Sequence, residues 1–357
     1  MGGTDLISYA GGDWDDTLQP AREEIRDTLC SAWTQALAYH TFAALSEALP
    51  EDGEIASLLS RLESGFDSLV QDGTIAGFVQ LKKDGMTKLV HPEDTRTGLR
   101  CRLLPLTRSI IAQLVSPEQA KENMRQIDQH LRCPDGVRLL DHPVAYTGGN
   151  SVFFKRAEQA ANVGREIGLQ YVHAHIRYME SLAVLGEADK AWEALLTIAP
   201  PLLTERVGNA ALRQSNMYFS SSDGDFADRY AFSAQYDALR RGEVAVKGGW
   251  RLYSSGPGIY LARLIGDLLG VRIGSKGMVL DPVVPAWADG MTMTYAYRGV
   301  PVTVTYCAQA EALTVNGEVY EAAACGENRY RRTGFFLPAE VFSGEEIRIV
   351  TPMMKKG

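Results

Sequence analysis

Three carboxylates crowd around an indole in Gly11-Gly12-Asp13-Trp14-Asp15-Asp16-Thr17. The segment has neither helical nor strand periodicity. Like charges this close repel, so in a sheltered loop at least one acid is expected to have a raised pKa, as a general acid working near neutral pH requires. Trp14 offers a flat apolar face for the C–H side of a sugar ring, with acids such as Asp13 placed to take its hydroxyls. A second cluster, Arg165-Glu166-Ile167-Gly168-Leu169-Gln170-Tyr171-Val172-His173-Ala174-His175, sets Glu166, Gln170 and His173 at four- and three-residue steps. Read as helix, these share one face, and the imidazole of His173 can bind an anion or shuttle a proton. His175, two residues on, is expected to face elsewhere. In a third cluster, Gly248 to Gly258, the hydroxyls of Ser254 and Ser255 and unpaired amides precede a helix, which is an anion site with phosphate as its natural guest.

Each cluster also has an ordinary reading: an acidic surface turn, a satisfied core histidine, and a Ser-Gly-Pro loop. An EF-hand is excluded, because the D-x-D-x-D-G spacing and closing Glu are absent. A P-loop is excluded by the missing GK[ST] ending. The tract Tyr218 to Asp225 reads as a solvated loop.

Helices must position these loops. Residues 22–49 place Ile25, Leu29, Ala32, Trp33, Ala36, Leu37 and His40 at helical steps, and Pro50 ends the run. A second stripe covers 54–72 and closes at Gly73. Further helices are expected near 106–115, from the N-cap Ser116 with Pro117 to about 132, in two stretches between 155 and 187, and over 188–197, 225–240 and 258–269. From Val271 the pattern turns β-branched and alternating, and RGVP at 298–301 and VNG at 315–317 carry hairpin-turn chemistry. The expected class is mainly α: a partial α/α toroid of the six-hairpin glycosidase type over 1–270, then a small antiparallel β domain over 271–357. Toroid loops converge at one end and make a pocket.

The 357 residues are 45% hydrophobic, enough for a large core. A net charge of −8 leaves no basic excess for nucleic acid or an anionic membrane. Cys30, Cys101, Cys133, Cys307 and Cys325 are odd in number and contain no CxxC pair, so neither a disulfide framework nor zinc is signalled. No apolar run approaches a membrane span, and a cytoplasmic setting is the expectation. So chemically loaded a segment so near Met1 implies scaffold further upstream.

Taken together and in this order, the clusters resemble the phosphorylases of glycoside hydrolase family 94 and related oligoglucan phosphorylase families. GGDWDD is similar to the family's GGDW-N-D motif, QYVHA to its QYTHA, and YSSGPG to its YTGSAG phosphate loop, over about residues 8–306. HPEDTRTG, CPDGVRLLD and GREIGLQYVHAHIRY resemble the branch acting on β-1,2- or β-1,3-linked oligoglucans. The resemblance implies that Asp16 is the general acid, that Trp14 stacks on the sugar, and that Glu166 and Gln170 bind it. It also implies that His173, Ser254 and Ser255 hold phosphate. Asp15 stands where the family has Asn, and Ser255 where it has a Gly whose amide binds phosphate. The implied reaction is inverting phosphorolysis of β-glucooligosaccharides to α-glucose 1-phosphate, or its reverse, with no metal or organic cofactor. A hydrolase on the same scaffold, with Asp13 or Asp15 as water-activating base, and an inactive carbohydrate-binding fragment are the alternatives. Family members often form dimers. They carry a β-sandwich and the first half of the barrel ahead of the acid motif, so this chain is expected to be an incomplete toroid with exposed apolar helix faces.

Overall fold

The computed structural model of the protein describes residues 3–10, 12–144, 148–158, 168–212, 221–249 and 255–353. The chain forms two compact units, Met1–Tyr178 with Thr197–Ser254, and Met179–Leu196 with Ser255–Gly357.

In the first unit, helix starts follow their caps. Ser31 accepts from the Thr34 amide at 3.4 Å and opens α1, Ala32–Ala48. Asp52 accepts from the Glu54 and Ile55 amides at 2.9 and 3.2 Å and opens α2, Gly53–Asp67, which buries Ile55, Leu62 and Phe66. Such caps satisfy amides that have no partner in the first turn. Helix α3, Leu103–Ile111, is buried almost throughout. Ser116 and Pro117 begin α4, Pro117–His130, as its sequence implies. Helix α1 packs on α2 and α3, and α3 on α4.

The long helix expected from residue 22 is interrupted. Glu23–Arg26 makes one turn, and Leu29–Ser31 is a buried strand, β1. It pairs antiparallel with β2, Phe78–Lys82, and β3, Gly85–Leu89, completes the sheet. Cross-strand hydrogen bonds and burial of Leu29 beside Phe78, Leu89 and Phe154 outweigh the helical spacing. The turn between β2 and β3 is Lys83-Asp84 ahead of Gly85, a hairpin signal.

A second sheet is also unannounced by periodicity. Its order is β4 (Gln170–Tyr171), β6 (Ser221–Gly224), β7 (Val246–Gly249), β5 (Ala210–Leu212). Strands this short leave no repeat to read. Helix α5, Val172–Val184, follows β4 directly. Residues 159–167, part of the helical stretches expected over 155–187, lie outside the described residues.

The second unit joins α6, Ala188–Thr197, and α7, Ser255–Arg263, to the strands. Trp192 donates to the Val283 carbonyl at 2.8 Å, tying α6 down. Helix α7 continues as a π-turn, Leu264–Leu268. The β tail begins at Val271, where expected, with strands β8 (Val271–Ile273) and β9 (Gly277–Leu280), but it is not antiparallel throughout as expected: Val300–Cys307 runs parallel to Ile347–Pro352. The hairpin of Thr292–Tyr297 with Val300–Cys307 turns at Arg298 and Gly299, and that of Thr314–Val315 with Glu318–Val319 at Asn316 and Gly317. All four turn residues have positive φ, as two-residue hairpin turns demand. The compact unit reaches back past 271, however, to Ser255–Gly270 and Met179–Leu196; besides Trp192 on Val283, the Tyr306 hydroxyl donates to the Leu269 carbonyl at 2.8 Å.

Candidate active site

The acid loop is a succession of short side-chain-to-backbone bonds. Asp13 Oδ1 accepts from the Asp15 amide at 3.0 Å. Asp15 caps the 3-10 turn Asp16–Leu18, its Oδ1 accepting from the Thr17 amide at 3.1 Å and from the Thr17 hydroxyl. Asp16 therefore opens a defined turn; its side chain lies outside the described residues.

The sequence reading made Asp13 a sugar ligand and expected at least one acid of the loop to be raised; the surroundings of Asp13 are those of a clamped carboxylate. Arg102 donates from Nη2 to Asp13 Oδ1 at 2.6 Å and from Nη1 to Oδ2 at 3.1 Å, and Ser31 Oγ donates to Oδ2. With the Asp15 amide, four donors occupy the carboxylate, whose side chain and that of Arg102 are both 0% exposed. No acceptor direction is left for a sugar hydroxyl. Burial pushes Asp13 up, but the Arg102 charge and the hydrogen bonds outweigh it and hold the carboxyl below its usual range. Tyr9 is pushed up to about 12, by burial first and by Asp13 second. Arg102 and Ser31 are the residues that motif reading missed. The available signal was a guanidinium immediately before the apolar run Leu103-Leu104-Pro105-Leu106, where a buried charge requires a partner.

Trp14 brings two motifs together. Its ring meets that of Tyr171 edge-on at 5.2 Å between centroids and that of His173 at 5.6 Å. His173 lies in the first turn of α5, among the amides whose partial charge favours an anion. Gln170 is not helical. It belongs to β4, paired with Ser222, so the common helix face expected for Glu166, Gln170 and His173 is replaced by a strand-to-helix junction. Gln170 is 1% exposed, and its Nε2 finds no acceptor among the described residues.

His175 turns away, as expected, and its Nδ1 accepts from the Val137 amide at 3.2 Å. Gly136, at φ +125°, lets the short hairpin of Arg132–Cys133 with Gly136–Val137 approach: a Cβ there would lie 2.7 Å from His175 Nδ1 and 2.8 Å from Gln170 Cγ. Asp135 and Arg138, both buried, fix the hairpin through two 3.0 Å contacts from Nη2. Glu166 and Ser254 lie outside the described residues; Ser255 begins α7, its side chain likewise outside them. Among the described residues no group of His, Cys, Asp and Glu is arranged to hold a metal ion, and no helix is long and apolar enough to cross a membrane.

Known proteins resemble this chain in sequence. Residues 270–348 match the family model described as glycoside phosphorylase C-terminal domain. Over 342 residues, 95% of the chain, the sequence is 46% identical to the 1,2-beta-oligoglucan phosphorylase of Listeria innocua. The chain is a relative of the glycoside phosphorylases. It is also 26% identical, over 89% of its length, to the 3-O-beta-D-glucopyranosyl-beta-D-glucuronide phosphorylase of Paenibacillus borealis. Cellobionic acid phosphorylase of Neurospora crassa is 25% identical over 57% of the chain and 24% of its own length. The chain spans 31% of the Listeria phosphorylase and 40% of the Paenibacillus one.

Proposed function

We propose that the chain is the C-terminal part of an inverting phosphorylase that cleaves β-linked glucooligosaccharides with inorganic phosphate, giving α-glucose 1-phosphate, or runs the synthesis in reverse. Asp16 protonates the glycosidic oxygen as the bond to the anomeric carbon breaks. A phosphate oxygen bonds to that carbon from the opposite face, inverting it. Trp14 stacks on the sugar ring, Gln170 and Glu166 bind its hydroxyls, and His173, Ser254 and Ser255 hold phosphate. Helices α1 to α5 are part of an α/α toroid completed by polypeptide outside this chain. The scheme calls for no metal or organic cofactor.

The observation that carries this reading is the contact of Trp14 with Tyr171 and His173, which joins the acid loop to the start of α5. Phosphate is already anionic and needs no second carboxylate to activate it, whereas an inverting hydrolase does. Asp13, with its lone pairs filled, and Asp15, buried and capping a turn, are poorly placed as bases, which favours phosphorolysis over hydrolysis.

The test is phosphate release from α-glucose 1-phosphate with β-1,2-glucooligosaccharide acceptors, run on the chain and on a version extended upstream. Asp16→Asn is expected to cut turnover by about 100-fold or more while oligosaccharide binding persists. An unchanged rate would remove Asp16 from its role, and sugar release without added phosphate would favour the hydrolase.

A further inference from the structure

The acid loop is gripped by a buried ion pair whose members lie 89 residues apart in sequence. We propose that Arg102 is a positioning residue for the general acid: through Asp13 it fixes the loop that presents Asp16. The inference rests on the reading of Asp16 as the acid.

Arg102 is itself anchored. Its backbone bridges Leu140, the next amide, Leu103 N, donates to the Leu139 carbonyl at 2.9 Å, and its guanidinium rests 4.5 Å from the Phe78 ring centroid. From that support its two-pronged bond sets the plane of the Asp13 carboxylate, and Asp13 holds the Asp15 amide. Asp15 in turn holds Thr17, and Ala157 N binds the Thr17 carbonyl at 3.0 Å from the other side. Asp16 is thus the link between two buried, hydrogen-bonded neighbours, Asp15 and Thr17. Among the described residues, the charged and titratable groups around Asp13 include Arg102, Asp15, Tyr9 and the Cys30 thiol.

Stability alone is a weak account of this cluster. A buried ion pair recovers little more than its desolvation cost and is often replaceable by apolar side chains without loss. Orientation is the better account, because a two-pronged guanidinium–carboxylate bond fixes direction as well as distance. A general acid displaced by about 1 Å loses on the order of 100-fold in rate.

The experiment uses the chain labelled with 5-fluorotryptophan, with the Trp14 resonance assigned by Trp14→Phe among the five tryptophans. In Arg102→Gln the Trp14 line should shift or broaden while the other four hold. The kcat should fall about 10–100-fold, with KM for the glucan nearly unchanged. Arg102→Lys, which keeps the charge but not the fork, should recover part of both. An unmoved Trp14 line in Arg102→Gln, or a rate loss lying wholly in KM, overturns the proposal. Should that variant not fold, Ser31→Ala removes one donor of the four and is judged by the same two outcomes. In a chain too slow to assay, the fluorine line alone decides. Undiminished turnover in Asp16→Asn with a displaced Trp14 line sinks the acid assignment and leaves the clamp. A dead Asp16→Asn beside an Arg102→Gln of full rate and unmoved line sinks the clamp and leaves the acid.

Discussion

Gln170 carries the cost of an amide donor withdrawn from water with no acceptor among the described residues, about 1–3 kcal/mol for a group of this kind. Proteins keep such a group where a ligand repays it. Gln170→Met, close in volume and apolar, is therefore expected to raise stability by about 1–2 kcal/mol in thermal melts while weakening oligosaccharide binding measured by calorimetry. A variant that melts lower and binds as before would mean the amide has another task. At this scale the sequence was legible where chemistry is written into residue type: the indole beside the acids and the histidine that meets it were both in view. It could not place Asp13, because a carboxylate offered to a sugar and one saturated by a distant arginine look alike until the chain is folded. Asp13 and Arg102 are joined only by tertiary structure.

Among the elements, capping chemistry was readable and short strands were not. Ser116 and Pro117 announced α4 from two residues of sequence, whereas Leu29–Ser31 presented helical spacing and became a strand because its partner, Phe78–Lys82, comes much later in the chain. The π-turn after α7 supplies a prediction at this scale. Burial pushes the Asp267 carboxyl up to about 6; Arg263 beside it pulls down and Glu180 pushes further up. A carboxyl raised in the folded state contributes stability that is fully present below its unfolded value of about 3.9 and is lost as pH rises through the folded value. The second unit should therefore lose stability between about pH 4 and 6 through this group. Asp267→Asn should melt higher than the parent at neutral pH, and the difference should shrink to nothing as pH falls to about 4, with Arg263 still paired to Glu180 at 2.9 Å. Identical pH dependence in the two proteins would show that Asp267 does not titrate in that window.

For the whole molecule, the change of period at Val271 marked the start of the β tail, but the extent of the second compact unit was hidden. Periodicity records which face of an element is apolar and not which neighbour covers it, so Met179–Leu196 could not be assigned to the tail in advance. Helix α1 is apolar on several sides; its C-terminal end leaves Leu45 40% and Leu49 49% exposed, with Leu37 and Phe42 half-buried. The proposed function makes the chain one part of a longer phosphorylase. The version extended upstream is expected to turn over faster and to bind less of an apolar-surface dye than this chain. Equal rates and equal dye binding would contradict an incomplete toroid.

The clamp on the acid loop also has a consequence in lineage. Because Asp13 and Arg102 neutralise each other out of reach of water, the loss of either alone strands a charge in the interior, at a cost of about 3–5 kcal/mol. Drift at one position is therefore blocked until the other yields, and across descendants of this sequence the two should survive as a couple or disappear as one.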